Sequence, residues 1–385
     1  MRLVSSPRKV SHNITQPQQQ IETSIMERRT TLFAGTTLLL ALPIVVILFI
    51  QGCSSLSYYQ QAIAGQYKIL SNRVDIEYLI TDENTADDLK QKLELVRHIR
   101  AFSATEMQMN VGKSYSQYSD TKRDYVVWNI TAAPELSLTP HQWCYPIIGC
   151  QSYRGYFKQM TAESEARQLQ QQGFDTWVGG VTAYSTLGWF DDPVLNTFVY
   201  RDDSDLAALL IHELSHQILY IKGDTAFNES FATAVEIEGL HRWLVSINQE
   251  PLMRRHQLRI EEKKLFISTV STSIERLKAV YESALSDETK RAQKHQIIEG
   301  MKEKYEQNVL DSHLSGYFTR WFDKVNNAKL ITVSNYYRYV PAFTAMIAES
   351  KGDMSQFYEA AKKLGELDKE SRDKLLQQYL LKAAP

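Results

Sequence analysis

The stretch Leu209–Tyr220 reads LLIHELSHQILY and contains His-Glu-x-x-His. On a helix, residues four apart share a face, so the imidazoles of His212 and His216 can converge on one metal ion. Glu213 follows the first histidine and can act on a water beside that metal without taking a ligand position. The neighbouring residues support a helix. Asp203 or Ser204 can cap its start, apolar residues fill its body, and Gly223 can end it. Two histidines and an acid on so apolar a helix are costly unless something answers their polarity, and a metal does.

A catalytic zinc takes three protein ligands and leaves a fourth position open. The third ligand therefore sets the subclass. Leu219 and Lys222 occupy the steps after His216 where a metzincin carries Gly and His, which excludes that subclass. Instead the loop IKGDTAF turns the chain into a second helix, NESFATAVEIEGLHRWL. Glu229 opens that helix and returns to the metal in a helix-loop-helix, so it is the expected third ligand. Glu236 and Glu238 lie further along, and His241 needs a different geometry.

The N-terminus carries a different signal. Residues 1–25 are polar, contain TQPQQQ and read as a disordered leader or a misassigned start, with Met26 as the alternative start. Arg28 and Arg29 precede an apolar run from Leu32 to Ile50, followed by Gln51-Gly52-Cys53. A charged start, an apolar stretch and Gly-Cys resemble a bacterial lipoprotein signal over residues 26–52, with Cys53 as the lipidated residue. Gln51 departs from the usual small residue, and the run is long enough to serve instead as an uncleaved helical anchor. Either way the arginines stay inside and the rest of the chain faces outward.

With Cys53 lipidated, Cys144 and Cys150 remain as a close pair in WCYPIIGCQ. In an oxidising compartment they read as a disulfide closing a small loop. The net charge is −2 and no basic run interrupts the balance, so nucleic acid is not an expected partner. Between the N-terminal and zinc helices lies a region rich in β-branched and aromatic residues. YVVWNITA, SYRGYF and TWVGGVTAYST read as strands, and KQMTAESEARQLQQQG reads as a helix stopped at Gly173. The region from 54 to Met109 reads as helical, and the charged segment from Arg254 to Gln307 as two long helices. No linker or repeat divides residues 53–385, which read as one domain.

The zinc segment IHELSHQILYIKGDTAFNESFATAVEIEG, with AYSTLGWFDDPV, GCQSYRGYF and the Gly-Cys signal, resembles a bacterial family of predicted aminopeptidases. Two histidines and a glutamate on the next helix also resemble the gluzincin arrangement of thermolysin-like peptidases. The resemblance implies an α+β, mainly helical fold. In it the His-Glu-x-x-His helix and the following Glu helix pack on a small β-sheet. In gluzincins an edge strand pairs with extended substrate, a role that Ala183, Tyr184 and Ser185 could take. The Gly-x-Met-Glu-Asn motif of well-known zinc aminopeptidases is absent, so amino-terminal specificity is not written in these residues.

The expectation is a membrane-tethered zinc peptidase with a peptide substrate, facing the periplasm on the outer membrane. His212, His216 and Glu229 hold zinc, and Glu213 is the base. The oxyanion donor is left open among Tyr184, Tyr336, Tyr337 and His241. The competing reading is a catalytically silent zinc-binding envelope lipoprotein.

Overall fold

The computed structural model describes residues 58–145, 149–183, 186 and 190–383. The signal-like segment 26–52, Cys53, Tyr184 and Ser185 lie outside these residues. The chain divides into two units, Met1–Gln61 and Ala62–Pro385, and the second is described here. Among the described residues no helix is long and apolar enough to cross a membrane.

Residues 62–71 belong to the first helix, α1. The stretch expected to stay helical to Met109 is instead interrupted. Val74–Asp75 forms strand β1, followed by α2 (Ile76–Thr81) and α3 (Asp87–Thr105). The breaks have local causes. Val74 and Asp75 pair with strand β2 (Gln117–Ser119), and the Asp75 carboxylate caps α2 by accepting from Glu77 N. Strand β2 also pairs in parallel with β8 (Val194–Leu195), which makes a three-stranded sheet.

A second sheet is antiparallel. Its central strand β3 (Val127–Pro134) lies between β6 (Arg154–Tyr156) and β7 (Phe174–Val181). The β3–β7 register runs from Val127 opposite Val181 to Pro134 opposite Phe174. Helices α4 (Gln159–Gln171) and α9 (Asn327–Tyr337) both pack on these strands. That coverage explains why successive residues Ile130–Ala133 are buried, where a half-exposed strand would alternate. Gly173, at φ +86°, turns the chain from α4 into β7. Strands β4 (Trp143–Tyr145) and β5 (Gly149–Gln151) form a separate hairpin. Cys144 sits directly opposite Cys150, and the two are joined as a disulfide.

Two helices carry the motif residues: α5 (Asp203–Ser215) and α6 (Thr225–Ser246). They pack against each other, and Phe227 and Phe231 of α6 meet Phe343 edge-on while Phe231 also stacks on Phe357. Each such buried aromatic contributes about 1.5–3 kcal/mol of burial free energy. Helices α7 (Glu250–Glu282) and α8 (Asp287–Asp311) form the expected long hairpin. It has its own core of Phe266, Val270, Leu277, Met301 and Tyr305. Glu262 is fully buried there, but its carboxylate accepts from Tyr305 Oη at 2.7 Å and from Ser315 Oγ at 2.6 Å. Helices α10 (Val340–Glu349), α11 (Met354–Gly365) and α12 (Lys369–Ala383) complete the fold.

Candidate metal centre

Helix α5 is apolar on most of its surface because it is packed on several sides. Leu206, Ala207, Leu210, Ile211 and Leu214 are all buried. Its ends differ from the sequence expectation. Neither Asp203 nor Ser204 caps it, since Asp202 holds the N-cap position without a side-chain bond. The helix stops at Ser215, well before Gly223. Ser215 Oγ donates to His212 O at 2.6 Å, and Gln217 N and Ile218 N then bond three residues back. The chain thus tightens into turns just as His216 is reached. His216 keeps helical backbone angles as the C-cap residue, so the four-residue convergence with His212 survives. The two imidazole centroids lie 5.0 Å apart.

The loop after His216 is clamped from within. Asn228 bonds Ile221 twice, accepting from its N at 2.7 Å and donating to its O at 2.8 Å. Asp224 caps α6 by accepting from Phe227 N. The buried Arg372 of α12 meets the same Asp224 carboxylate at 2.7 Å. Gly239 lets α6 approach α5 closely, because a Cβ there would stand 2.8 Å from Ile211 Cγ2. These contacts place Glu229 over the histidines.

The donor atoms converge. His212 Nε2 lies 3.4 Å and His216 Nε2 3.8 Å from the same oxygen, Glu229 Oε2. The ligand atoms of the three residues lie within 4.8 Å of one another. Donors about 2.0–2.2 Å from a tetrahedral zinc stand roughly 3.3–3.6 Å apart, so the two distances to Glu229 lie at or near that range. Two imidazole nitrogens and one carboxylate are also a catalytic zinc donor set with one position left open.

The other acids named from the sequence fall elsewhere. Glu236 Oε2 lies 3.0 Å from His212 Nδ1, the ring nitrogen that does not face Glu229. Glu238 pairs with Arg242 at 2.7 Å, and His241 is exposed. Sequence reading treated Glu236 only as a competing ligand and missed its contact with His212. Its position seven residues after Glu229, two turns along the same face of α6, was the available signal. Tyr115 was also missed. It is buried, and its phenol is pushed well up by burial and then by the charges of Glu213 and Asp192.

The electrostatics divide the histidines. Burial opposes a charge on His212, but its contacts with Glu229 and Glu236 outweigh that and push it up to about 10. Burial dominates at His216 and pushes it down to about 4. Glu229 is itself opposed by burial, yet the His212 hydrogen bond and both histidines hold it below the usual carboxylate range. Glu213 is buried, and burial together with Glu229 and Asp192 pushes it up to about 7 against the pull of His212 and Arg201. A buried carboxyl group pushed up toward neutral pH beside a candidate ligand cluster is the kind of group that can exchange a proton there.

The strand proposed to meet substrate is shorter than the sequence suggested. Strand β7 ends at Val181, and Ala183 follows it as a buried residue outside any strand. Of the oxyanion candidates, Tyr184 and the side chains of Tyr336 and Tyr337 lie outside the described residues.

A family model described as "Putative aminopeptidase" matches residues 57–376. The chain belongs to that family. The match covers α5, α6 and every residue of the His212–His216–Glu229 cluster. Neither a curated protein nor a solved structure matches the chain. Family and cluster together make the protein a gluzincin-type zinc metallopeptidase, mainly helical with small sheets.

Proposed function

We propose that the protein is a membrane-tethered aminopeptidase in which His212, His216 and Glu229 hold zinc and Glu213 is the general base. The single observation that carries this reading is the convergence of both Nε2 atoms on Glu229 Oε2. Zinc bound there supplies a Lewis acid that makes water nucleophilic at neutral pH and polarises a peptide carbonyl. Glu213 takes the proton from the attacking water and delivers it to the leaving amine. Glu236 accepts from His212 Nδ1–H, which fixes the tautomer whose Nε2 lone pair faces the metal.

Strand β7 supports extended substrate binding because it is an outer strand of its sheet. Asn326 Nδ2 already donates to Thr176 O, which leaves the part of the strand toward Val181 to offer its backbone to a peptide. The tether is either lipid on Cys53 or the apolar run 32–50, and the catalytic unit then faces the periplasm. Labelled palmitate entering the wild type but not Cys53→Ser supports the lipid. A membrane-bound but unlabelled protein supports the helix.

The deciding experiment is a peptide-library digest by wild type and Glu213→Gln. Wild type should release amino-terminal residues. The variant should lose about 10²–10⁴-fold in kcat while keeping its zinc. Equal activity in both would overturn the assignment of Glu213. Zinc binding with no peptide cleavage by wild type would leave a silent zinc-binding lipoprotein.

A further inference from the structure

Helix α7 packs on α6 and carries three basic residues, His256, Arg259 and Lys263, at i, i+3 and i+7 on one face. Arg259 pairs with Asp205 in the first turn of α5, and its guanidinium lies 4.5 Å from the Tyr317 ring centre. Lys263 Nζ lies 3.9 Å from Glu236 Oε1. The other oxygen of that carboxylate, Oε2, is the one 3.0 Å from His212 Nδ1. One carboxylate thus joins the long helical hairpin to a metal-facing histidine.

We infer that Lys263 is a positioning residue for the metal centre: it holds one oxygen of Glu236 so that the other stays on His212 Nδ1 and His212 Nε2 stays turned to the metal. The inference rests on the zinc reading of His212, His216 and Glu229. A glutamate side chain has three rotatable bonds, and a single hydrogen bond leaves its carboxylate free to swing. The charge of Lys263, 3.9 Å from the other oxygen, biases that swing by electrostatic attraction. The charge of Lys263 has a second effect. Glu236 is half-buried and close enough to Glu229 for the two charges to repel, and a second carboxylate there is favoured by a nearby cation.

A purely architectural role would give the same contacts, so the test separates the two. Zinc affinity of the detergent-extracted full chain is measured by competition with a chromophoric chelator, and the Co²⁺ absorption spectrum is recorded alongside. Lys263→Met should weaken zinc binding by about tenfold, the low end for residues behind a ligand, and should shift the Co²⁺ bands. Lys263→Arg should restore both. Added to Glu236→Gln, Lys263→Met should cost nothing further, because its effect runs through that carboxylate. Arg259→Ala, which loosens α7 from α5 without touching Glu236, should leave affinity within about twofold.

Unchanged affinity in Lys263→Met would overturn the inference. So would a full additional loss in the Glu236→Gln background, or an equal loss in Arg259→Ala. If Lys263→Met fails to fold by circular dichroism, Lys263→Gln carries the same comparisons. Failure of the zinc reading is distinguishable, since wild type would then bind no zinc and Glu229→Ala would change nothing. That result would overturn both.

Discussion

Glu229 Oε2 sits between two histidine nitrogens, 3.4 Å from His212 Nε2 and 3.8 Å from His216 Nε2. The two histidines differ in charge although they face one oxygen. Before metal enters, His212 is pushed up to about 10 and His216 down to about 4. At pH 8 the first holds a proton and the second does not. A zinc ion needs both nitrogens deprotonated. Zinc binding at pH 8 should therefore release one proton from His212, and a second when the zinc-bound water ionises. Calorimetry in buffers of different ionisation heat reads that number directly. Release of no proton would show that His212 is already neutral.

Glu213→Gln should stabilise the zinc-depleted protein at alkaline pH. The Glu213 carboxyl is pushed up to about 7 in the folded chain, against an ordinary value of 4.5. Between those values the folded state holds a proton that the unfolded state has lost. The stabilising contribution of Glu213 is therefore complete below pH 4.5 and gone above pH 7, where the fold carries a buried carboxylate. That charge costs about 3 kcal/mol. Glutamine removes the charge and keeps the shape. Urea unfolding at pH 8 should show the variant as the more stable protein, with the gap closing toward pH 5. A variant less stable at pH 8 would contradict the burial argument.

Arg372→Ala should unfold the protein more easily and loosen the metal loop. Arg372 and Asp224 are both buried and meet at 2.7 Å, and Arg372 also donates to Leu367 O at 2.8 Å. Removing it leaves the Asp224 carboxylate with the exposed Lys369 at 3.6 Å as its remaining cation among the described residues. The expected loss is about 3 kcal/mol, at the lower edge for a broken buried pair. Asp224 caps the helix that carries Glu229. Zinc affinity should fall with the stability, and a loss of neither would remove Arg372 from this account.

The Cys144–Cys150 bridge should matter for stability and not for metal. Its two exposed cysteines join neighbouring strands of one hairpin, six residues apart in sequence. So short a loop contributes up to about 2 kcal/mol by restricting the unfolded chain. Cys144→Ser should lose that amount or less in denaturant titration, while zinc content stays at the wild-type value. Mass spectrometry of non-reduced peptides should find the bridge in exported protein, and two alkylatable thiols would refute it.

Sequence alone carried whatever depends on neighbours along one helix or one short turn. The four-residue step from His212 to His216, the glutamate beside the first histidine, the return to Glu229 and the two long charged helices are all of this kind, because helical periodicity sets which side chains share a face. Helix ends were less legible. Gly223 looked like the stop, but α5 ends eight residues earlier, at Ser215, and the chain goes on in turns. The interruption at Val74–Asp75 was hidden because those residues become a strand only when β2 lies beside them. Tertiary structure alone decided that Glu236 serves His212 Nδ1 while Glu238, two residues on, points to Arg242. It alone brought Lys263, 27 residues further along, to the same carboxylate. Such contacts join helices whose relative placement comes from packing of apolar faces, and that packing is a property of the whole core.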